Sequence, residues 1–168
     1  MNTSINVTIA RLITWDIVIL VAIYCVPTFS HLLSFPLYVI DPMRLAVLGS
    51  YLFLRNKNNA YALAMTLPLF SYLVAGHPIA VKNTIIAIEL VTNILILDCF
   101  IKRTNKVLLA TFVSILLSKV VYYVLKGLAV SFGLLNTTLV DTSVWIQLMV
   151  GVGISVLFSI VYNNRELA

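Results

Sequence analysis

Lys82, Glu89 and Asn93 lie at steps of seven and four residues within an apolar run, so on an α-helix all three share one stripe. A charge at the centre of a bilayer costs on the order of 2.5–3.5 kcal/mol on insertion scales. A stripe carrying two such groups therefore faces other helices or a wet cavity, not lipid. Two kinds of chemistry suit it: an internal Lys–Glu pair that fixes helix packing, or a polar lining for a ligand. The step from Lys82 to Glu89 is roughly 10 Å along a helix axis, so that pair needs a bridge, which Asn93, Lys119, a ligand or water can supply.

A second stripe is formed by Lys119, Tyr122 and Lys126 at i, i+3 and i+7. Trp145 and Gln147 open the apolar run that follows. Flat rings stack on planar heterocycles while Lys, Gln and Asn fix polar edges, so these residues suit recognition of a small planar polar molecule. Asp41 and Arg44, three residues apart around Pro42, can face one another across a turn that the proline bends, as an ion pair or as ligand contacts. His31 and His77 sit beside Ser30 and Pro78, in settings that read as turns. With Glu89 they are the residues that acid–base or metal chemistry would need. No H-E-x-x-H, G-x-S-x-G or glycine-rich phosphate loop accompanies them, so the sequence predicts no enzyme, no catalytic residue, no metal and no cofactor.

The elements that must hold these residues are membrane helices. The chain has 168 residues, of which 61% are hydrophobic and 10% charged, and its mean hydropathy is +1.05. That composition belongs to an integral membrane protein. At about 20 residues per span the length accommodates about six transmembrane helices. The expected fold is an all-α bundle of six spans in one domain over 1–168, with spans near 12–30, 35–54, 60–75, 79–101, 107–132 and 142–162. The third is short and contains Pro68, which predicts a tilt, a kink or an incomplete outer end. The N-terminal residues lack the pattern of a cleaved signal peptide, so the first span is expected to stay. Cys25 and Cys99 fall in different spans near opposite faces, and no disulfide is expected between them.

A net charge of +5 would suggest nucleic acid in a soluble protein, but here the basic residues lie mostly between apolar runs and serve topology. Arg11, Arg55, Lys57, Lys102, Arg103, Lys106 and Arg165 all fall on one side of a six-span arrangement. The positive-inside rule then places both termini in the cytoplasm, in a multi-pass protein of the inner membrane. His31 and His77 come to the outer face. Lys82, Lys126, Trp145 and Gln147 lie in the outer part of the membrane, and Glu89, Lys119 and Tyr122 lie deeper. Tyr51 and Tyr162 read as interfacial belt residues.

Pro68, Ser71, Leu73, Gly76 and Pro78, followed by Glu89 and Leu90, make a pattern that resembles the substrate-binding S components of energy-coupling factor vitamin transporters. In that family a P-x-x-S-x-L-x-x-G-x-P stretch precedes a fourth helix with an E-L pair. The resemblance implies a compact six-helix bundle without enzymatic activity that captures a vitamin or related micronutrient near the outer face. It also implies a transmembrane coupling subunit and two cytoplasmic ATPases as partners. Thiamine, pantothenate, biotin, a pyrimidine precursor and a queuosine precursor all remain open as ligands. The first span lacks the family's A-x-x-x-A docking patch; Ala60 and Ala64 have that spacing on the third. Six-span scaffold proteins of cell-wall synthesis, of the MreD type, are similar in length and topology and give the alternative expectation.

Overall fold

The computed structural model describes residues 2–32, 37–75, 79–104, 106–138, 140 and 143–166. The regular elements among its described residues are all helical, in the order α1 (Asn2–Leu32), a 3₁₀ turn (Leu37–Ile40), α2 (Pro42–Phe53), α3 (Lys57–Ala75), α4 (Ala80–Thr104), α5 (Val107–Ser131) and α6 (Val144–Glu166). Four segments are long and apolar enough to cross a membrane: Ala10–Ser30, Ala80–Thr104, Val107–Ser131 and Val144–Asn163. They embed the protein in a bilayer, where the helix keeps every backbone N–H and C=O paired within its own segment.

Local sequence explains where these helices start and stop. Pro42 occupies the first turn of α2, where its missing N–H costs nothing. Asn56 caps α3, its Oδ1 accepting from the Asn59 N–H at 3.0 Å. As a result the polar stretch 57–59, expected as loop, forms the first turn of α3, which then continues through Pro68 to Ala75. At the far end of α5, Gly133 takes φ 70°. The N–H groups of Gly133 and Leu134 then bond back to the carbonyls of Val130 and Ala129, a glycine-dependent stop that closes orphan carbonyls and reverses the chain.

Two expectations change. The run expected as one span over 35–54 is divided at Asp41, which adopts a left-handed backbone (φ 58°, ψ 58°) between the 3₁₀ turn and α2. A residue before proline is disfavoured in the α region, and the left-handed backbone that Asp41 takes here interrupts the right-handed helical path. α2 has 12 residues and is about 18 Å long at 1.5 Å per residue, too short to cross a hydrocarbon core of about 30 Å by itself. The first helix, expected from residue 12, begins at Asn2.

In the bundle α4 packs between α3 and α5, α6 lies on α5, and α1 lies on α3. Short α2 occupies the middle, in contact with α1, α3, α4 and α6, while the 3₁₀ turn touches α1 and α6. Leu48 and Leu52 of α2 join Leu97, Ala110, Ile115, Ile154 and Phe158 in one core cluster; Ala46 and Val47 join Ile19, Leu63, Leu67, Leu90 and Ile94 in another. α1 meets α2 closely at Gly49, where an added Cβ would stand 3.1 Å from Trp15 Cζ2. Large apolar side chains on the outer faces of the four apolar segments, such as Ile17, Val21, Leu95, Val120, Val124 and Ile160, are exposed, as lipid contact requires. Cys25 and Cys99 are both free.

Candidate functional site

α2 begins inside the bundle, and this delivers charge to its middle. From the α2 side Asp41 and Arg44 project toward α4 and α5, where Glu89 lies nine residues into α4 and Lys119 twelve residues before the end of α5. At 1.5 Å per residue these depths are about 14 and 18 Å from that end of the bundle, and the four side chains meet. Arg44 Nη2 donates to Glu89 Oε1. Lys119 Nζ stands 3.0 Å from the same Glu89 oxygen and 3.5 Å from Asp41 Oδ2. Arg44 Nε lies 3.3 Å from Asp41 Oδ2, close enough to attract but not aligned as a hydrogen bond. The result is a closed ring of alternating charge, Arg44–Glu89–Lys119–Asp41.

Burial within the ring is uneven. The Arg44 and Glu89 side chains are 2% and 4% exposed, whereas Asp41 and Lys119 are 28% and 26% exposed. Two ions removed from water are tolerated only when each has several well-placed partners, and the inner pair has them. The outer pair leaves one carboxylate and one ammonium within reach of solvent or solute.

Around the ring lie further polar groups. One turn beyond Glu89, Asn93 donates through Nδ2 to Ser118 Oγ at 3.1 Å, and Ser118 donates in turn to the Ile115 carbonyl. In the other direction along α5, the Tyr122 ring lies beneath two ammonium groups, Lys119 Nζ at 5.3 Å and Lys126 Nζ at 6.0 Å from its centroid. Both are within cation–π range. Lys126 is 1% exposed. Leu135, sent back by the turn at Gly133, is buried against Ile85 and Ala129, with Tyr122 packed on the same cluster. Leu135 thus covers this end of the α4–α5 contact.

The stripes expected from spacing are present on single helix faces, and Glu89, Asn93, Lys119, Tyr122 and Lys126 do converge. Lys82, two turns outward from Glu89, is half-buried; the groups that reach Glu89 come from α2 and α5. Trp145, in the first turn of α6, is 77% exposed. Gln147 exchanges hydrogen bonds with Tyr123, accepting its hydroxyl proton at Oε1 at 2.8 Å. It thereby ties α6 to α5 on the residue next to Tyr122. His77 and the His31 side chain lie outside the described residues. Among the described residues no group of three His, Cys, Asp or Glu side chains is placed to hold a metal ion.

Asp41, Arg44 and Ser118 are the site members not singled out by the helix stripes. The signal for Asp41 and Arg44 was their i, i+3 spacing around Pro42, whose ionic contact is present. Its connection to Glu89 spans 45 residues and has no trace in local spacing.

A second polar cluster marks the opposite, basic end of the bundle. Asp98 accepts from Tyr51 Oη at 2.7 Å, Lys57 Nζ at 2.9 Å and Lys102 Nζ at 2.8 Å. The Lys57 ammonium, hydrogen-bonded to this carboxylate, is held above the usual lysine range. Tyr51, expected in the interfacial belt, is half-buried and packs against both larger core clusters. Asn59 Nδ2 donates to Asp16 at 2.9 Å and Ser50 at 3.0 Å, joining α3 to α1 and α2. Comparison of the chain with protein-family models, with curated proteins and with solved structures finds no match.

Proposed function

We propose that this chain is a six-span membrane protein, its second crossing made jointly by the 3₁₀ turn and α2, that captures a small, planar, polar micronutrient at the outer face and passes it to a transport complex. This is the role of the substrate-binding components of energy-coupling factor vitamin transporters, with a transmembrane coupling subunit and two cytoplasmic ATPases as partners. The observation that carries the reading is the Asp41–Arg44–Glu89–Lys119 ring beside Tyr122 in an otherwise apolar bundle. Ionisable groups at such depth are expensive, and in membrane proteins they mark solute or ion pathways. A helix that breaks at mid-depth, as the chain does at Asp41, is a further feature of membrane solute sites, where irregular backbone lines a cavity. The test is mass spectrometry of small molecules released from protein purified in mild detergent. A stoichiometric heterocycle supports the reading, whereas its absence together with co-purifying cell-wall synthesis proteins favours a scaffold. The scaffold reading has its own support, because every member of the charge ring has a partner within the ring and can act as a packing clamp.

The topology that goes with this reading has both termini in the cytoplasm and the charge ring nearer the outer face. In a background with Cys25 and Cys99 replaced by Ser, a cysteine at His77 is expected to react with a membrane-impermeant thiol reagent added to intact cells. One at Lys57 is expected to react only after lysis. The reverse pattern would turn the bundle over and open the site to the cytoplasm.

A further inference from the structure

At the basic end of the bundle a cleft of about 330 Å³ opens between α1 and the end of α2, lined by Arg11, Thr14, Trp15, Val18, Phe53 and Leu54. The four α1 residues fall at i, i+3, i+4 and i+7, a single stripe of the helix. Arg11 stands where the apolar segment Ala10–Ser30 begins, and Val18 lies about 10 Å farther into the bilayer at 1.5 Å per residue. The cleft therefore runs from headgroup depth into hydrocarbon, with a cation at its mouth and apolar side chains below. Its walls are held in place. Trp15 is pressed against α2 at Gly49, where an added Cβ would stand 3.1 Å from Trp15 Cζ2, and Phe53 stacks on Phe158 of α6 with ring centroids 5.2 Å apart.

The charge around the mouth is one-sided. Arg11 is exposed and has no ion-pair partner among the described residues. Asp16, the acid nearest to it along α1, sits at i+5, off the stripe, and accepts from Asn59 Nδ2 of α3 at 2.9 Å. Asp98 is taken by Tyr51, Lys57 and Lys102. Arg55, next to Leu54, lies over the Tyr162 ring at 5.9 Å and adds a second cation at this level. A soluble anion bound here would meet Arg11 but leave the apolar wall without a partner. An uncharged chain would cover the wall but leave the guanidinium without a counter-charge. An amphiphile with an anionic head satisfies both.

We propose that this cleft holds one anionic glycerophospholipid, its phosphate paired with the Arg11 guanidinium and the upper part of one acyl chain lying along Val18, Phe53 and Leu54. Arginine meets a phosphate through two parallel N–H···O bonds, and basic pockets between membrane helices bind lipid head groups in this way. The volume is at the low end of the roughly 300–1,000 Å³ of small-molecule sites, so the cleft takes a head and part of a chain while the rest of the lipid stays in the bilayer. A zwitterionic head is disfavoured because it brings its own ammonium to a face that is already cationic. The inference is independent of the solute site, which lies at the opposite end of the bundle.

The experiment is quenching of Trp15 fluorescence by brominated lipid. Trp15 and Trp145 are the chain's two tryptophans, so in the full-length Trp145→Phe protein the emission reports on the cleft alone. This parent is reconstituted into vesicles of phosphatidylglycerol and phosphatidylcholine in equal amounts, both leaflets alike, with bromine on the upper acyl chain of one lipid or of the other. Brominated phosphatidylglycerol is expected to quench more, corresponding to a preference of about fivefold, the scale of one basic residue at an anionic surface. Arg11→Gln should abolish the difference and Arg11→Lys should keep part of it. Arg103→Gln, which removes an equal charge from an exposed position on α4, should leave it in place. Equal quenching of the parent by the two lipids overturns the inference, and so do equal losses in Arg11→Gln and Arg103→Gln, which mean a diffuse basic face and no site. If inorganic phosphate at constant ionic strength removes the difference, the cleft binds a soluble anion and the lipid inference falls. No quenching by either lipid means that something other than lipid covers the cleft, with the same consequence. The comparison in the parent decides the matter even if Arg11→Gln fails to fold.

Discussion

Arg44→Met is expected to destabilise the bundle by about 3–5 kcal/mol, the range for removing one partner of a buried ion pair. The substitution keeps most of the side-chain volume among the core residues of α2, so the loss comes mainly from charge. Glu89, 4% exposed, would retain only Lys119, and Asp41 would lose its i, i+3 neighbour. The remaining three charges sum to −1 in a site with little water. Replacing Glu89 by Leu in the same chain removes that imbalance and leaves the outer Asp41–Lys119 pair neutral. The double variant is therefore expected to recover most of the loss, since apolar replacement of a complete buried pair is often neutral or stabilising. Unfolding of the four species in mixed micelles, read as a double-mutant cycle, measures the coupling directly. A double variant no more stable than Arg44→Met would mean that Arg44 does not act through Glu89. A single variant as stable as wild type would remove the charge ring from any account of packing.

The cycle also separates the two functional readings. A packing clamp needs only the energetic coupling, and a chain restored to stability by two apolar residues would keep its scaffold role. A solute site needs the charges themselves, so the same double variant, though stable, is expected to bind no small molecule. Stability and binding then part company in one and the same protein.

How much of this was legible beforehand follows from the reach of each signal. The apolar runs at 79–101, 107–132 and 142–162 were readable because a membrane helix is specified by its own composition, and α4, α5 and α6 begin and end within a few residues of them. The stripes Lys82–Glu89–Asn93 and Lys119–Tyr122–Lys126 were readable because helical spacing alone fixes a shared face. The division at Asp41 was half-visible: Pro42 disfavours a continuous helix, but α1 and α3 run through Pro27 and Pro68, and only the fold shows that α2 starts at Pro42, inside the bundle. Which faces meet was not visible at all. Arg44 pairs with Glu89 across 45 residues and Asn59 with Asp16 across 43, and both contacts depend on how each helix is rotated about its axis. Depth could be counted along the chain, but rotation could not. That is why Trp145 is exposed, and why Tyr51 packs half-buried against two core clusters with its hydroxyl on Asp98.

Rotation also decides which ring would stack on a solute, and it favours Tyr122. Its ring lies on the α5 face that carries Lys119 into the charge ring and is half-buried against the cluster of Ile85, Ala129 and Leu135. Trp145 stands in the open at the start of α6. Tyr122→Leu is therefore expected to weaken solute binding about tenfold to a hundredfold, the equivalent of the roughly 1–3 kcal/mol that stacking of one base on an aromatic ring contributes. Tyr122→Phe keeps the ring, so the difference between Leu and Phe at this position isolates the stacking share from that of the hydroxyl. The ring also serves the lysines, because a desolvated cation over an aromatic face gains about 2 kcal/mol. Part of the loss in Tyr122→Leu should accordingly appear as a lower melting temperature without ligand. Trp145→Ala is expected to leave both quantities nearly unchanged. Calorimetric titration of the four proteins with the solute identified by mass spectrometry checks the order. If Trp145→Ala abolishes binding while Tyr122→Leu preserves it, the site lies at the start of α6 and not beside Tyr122 on α5.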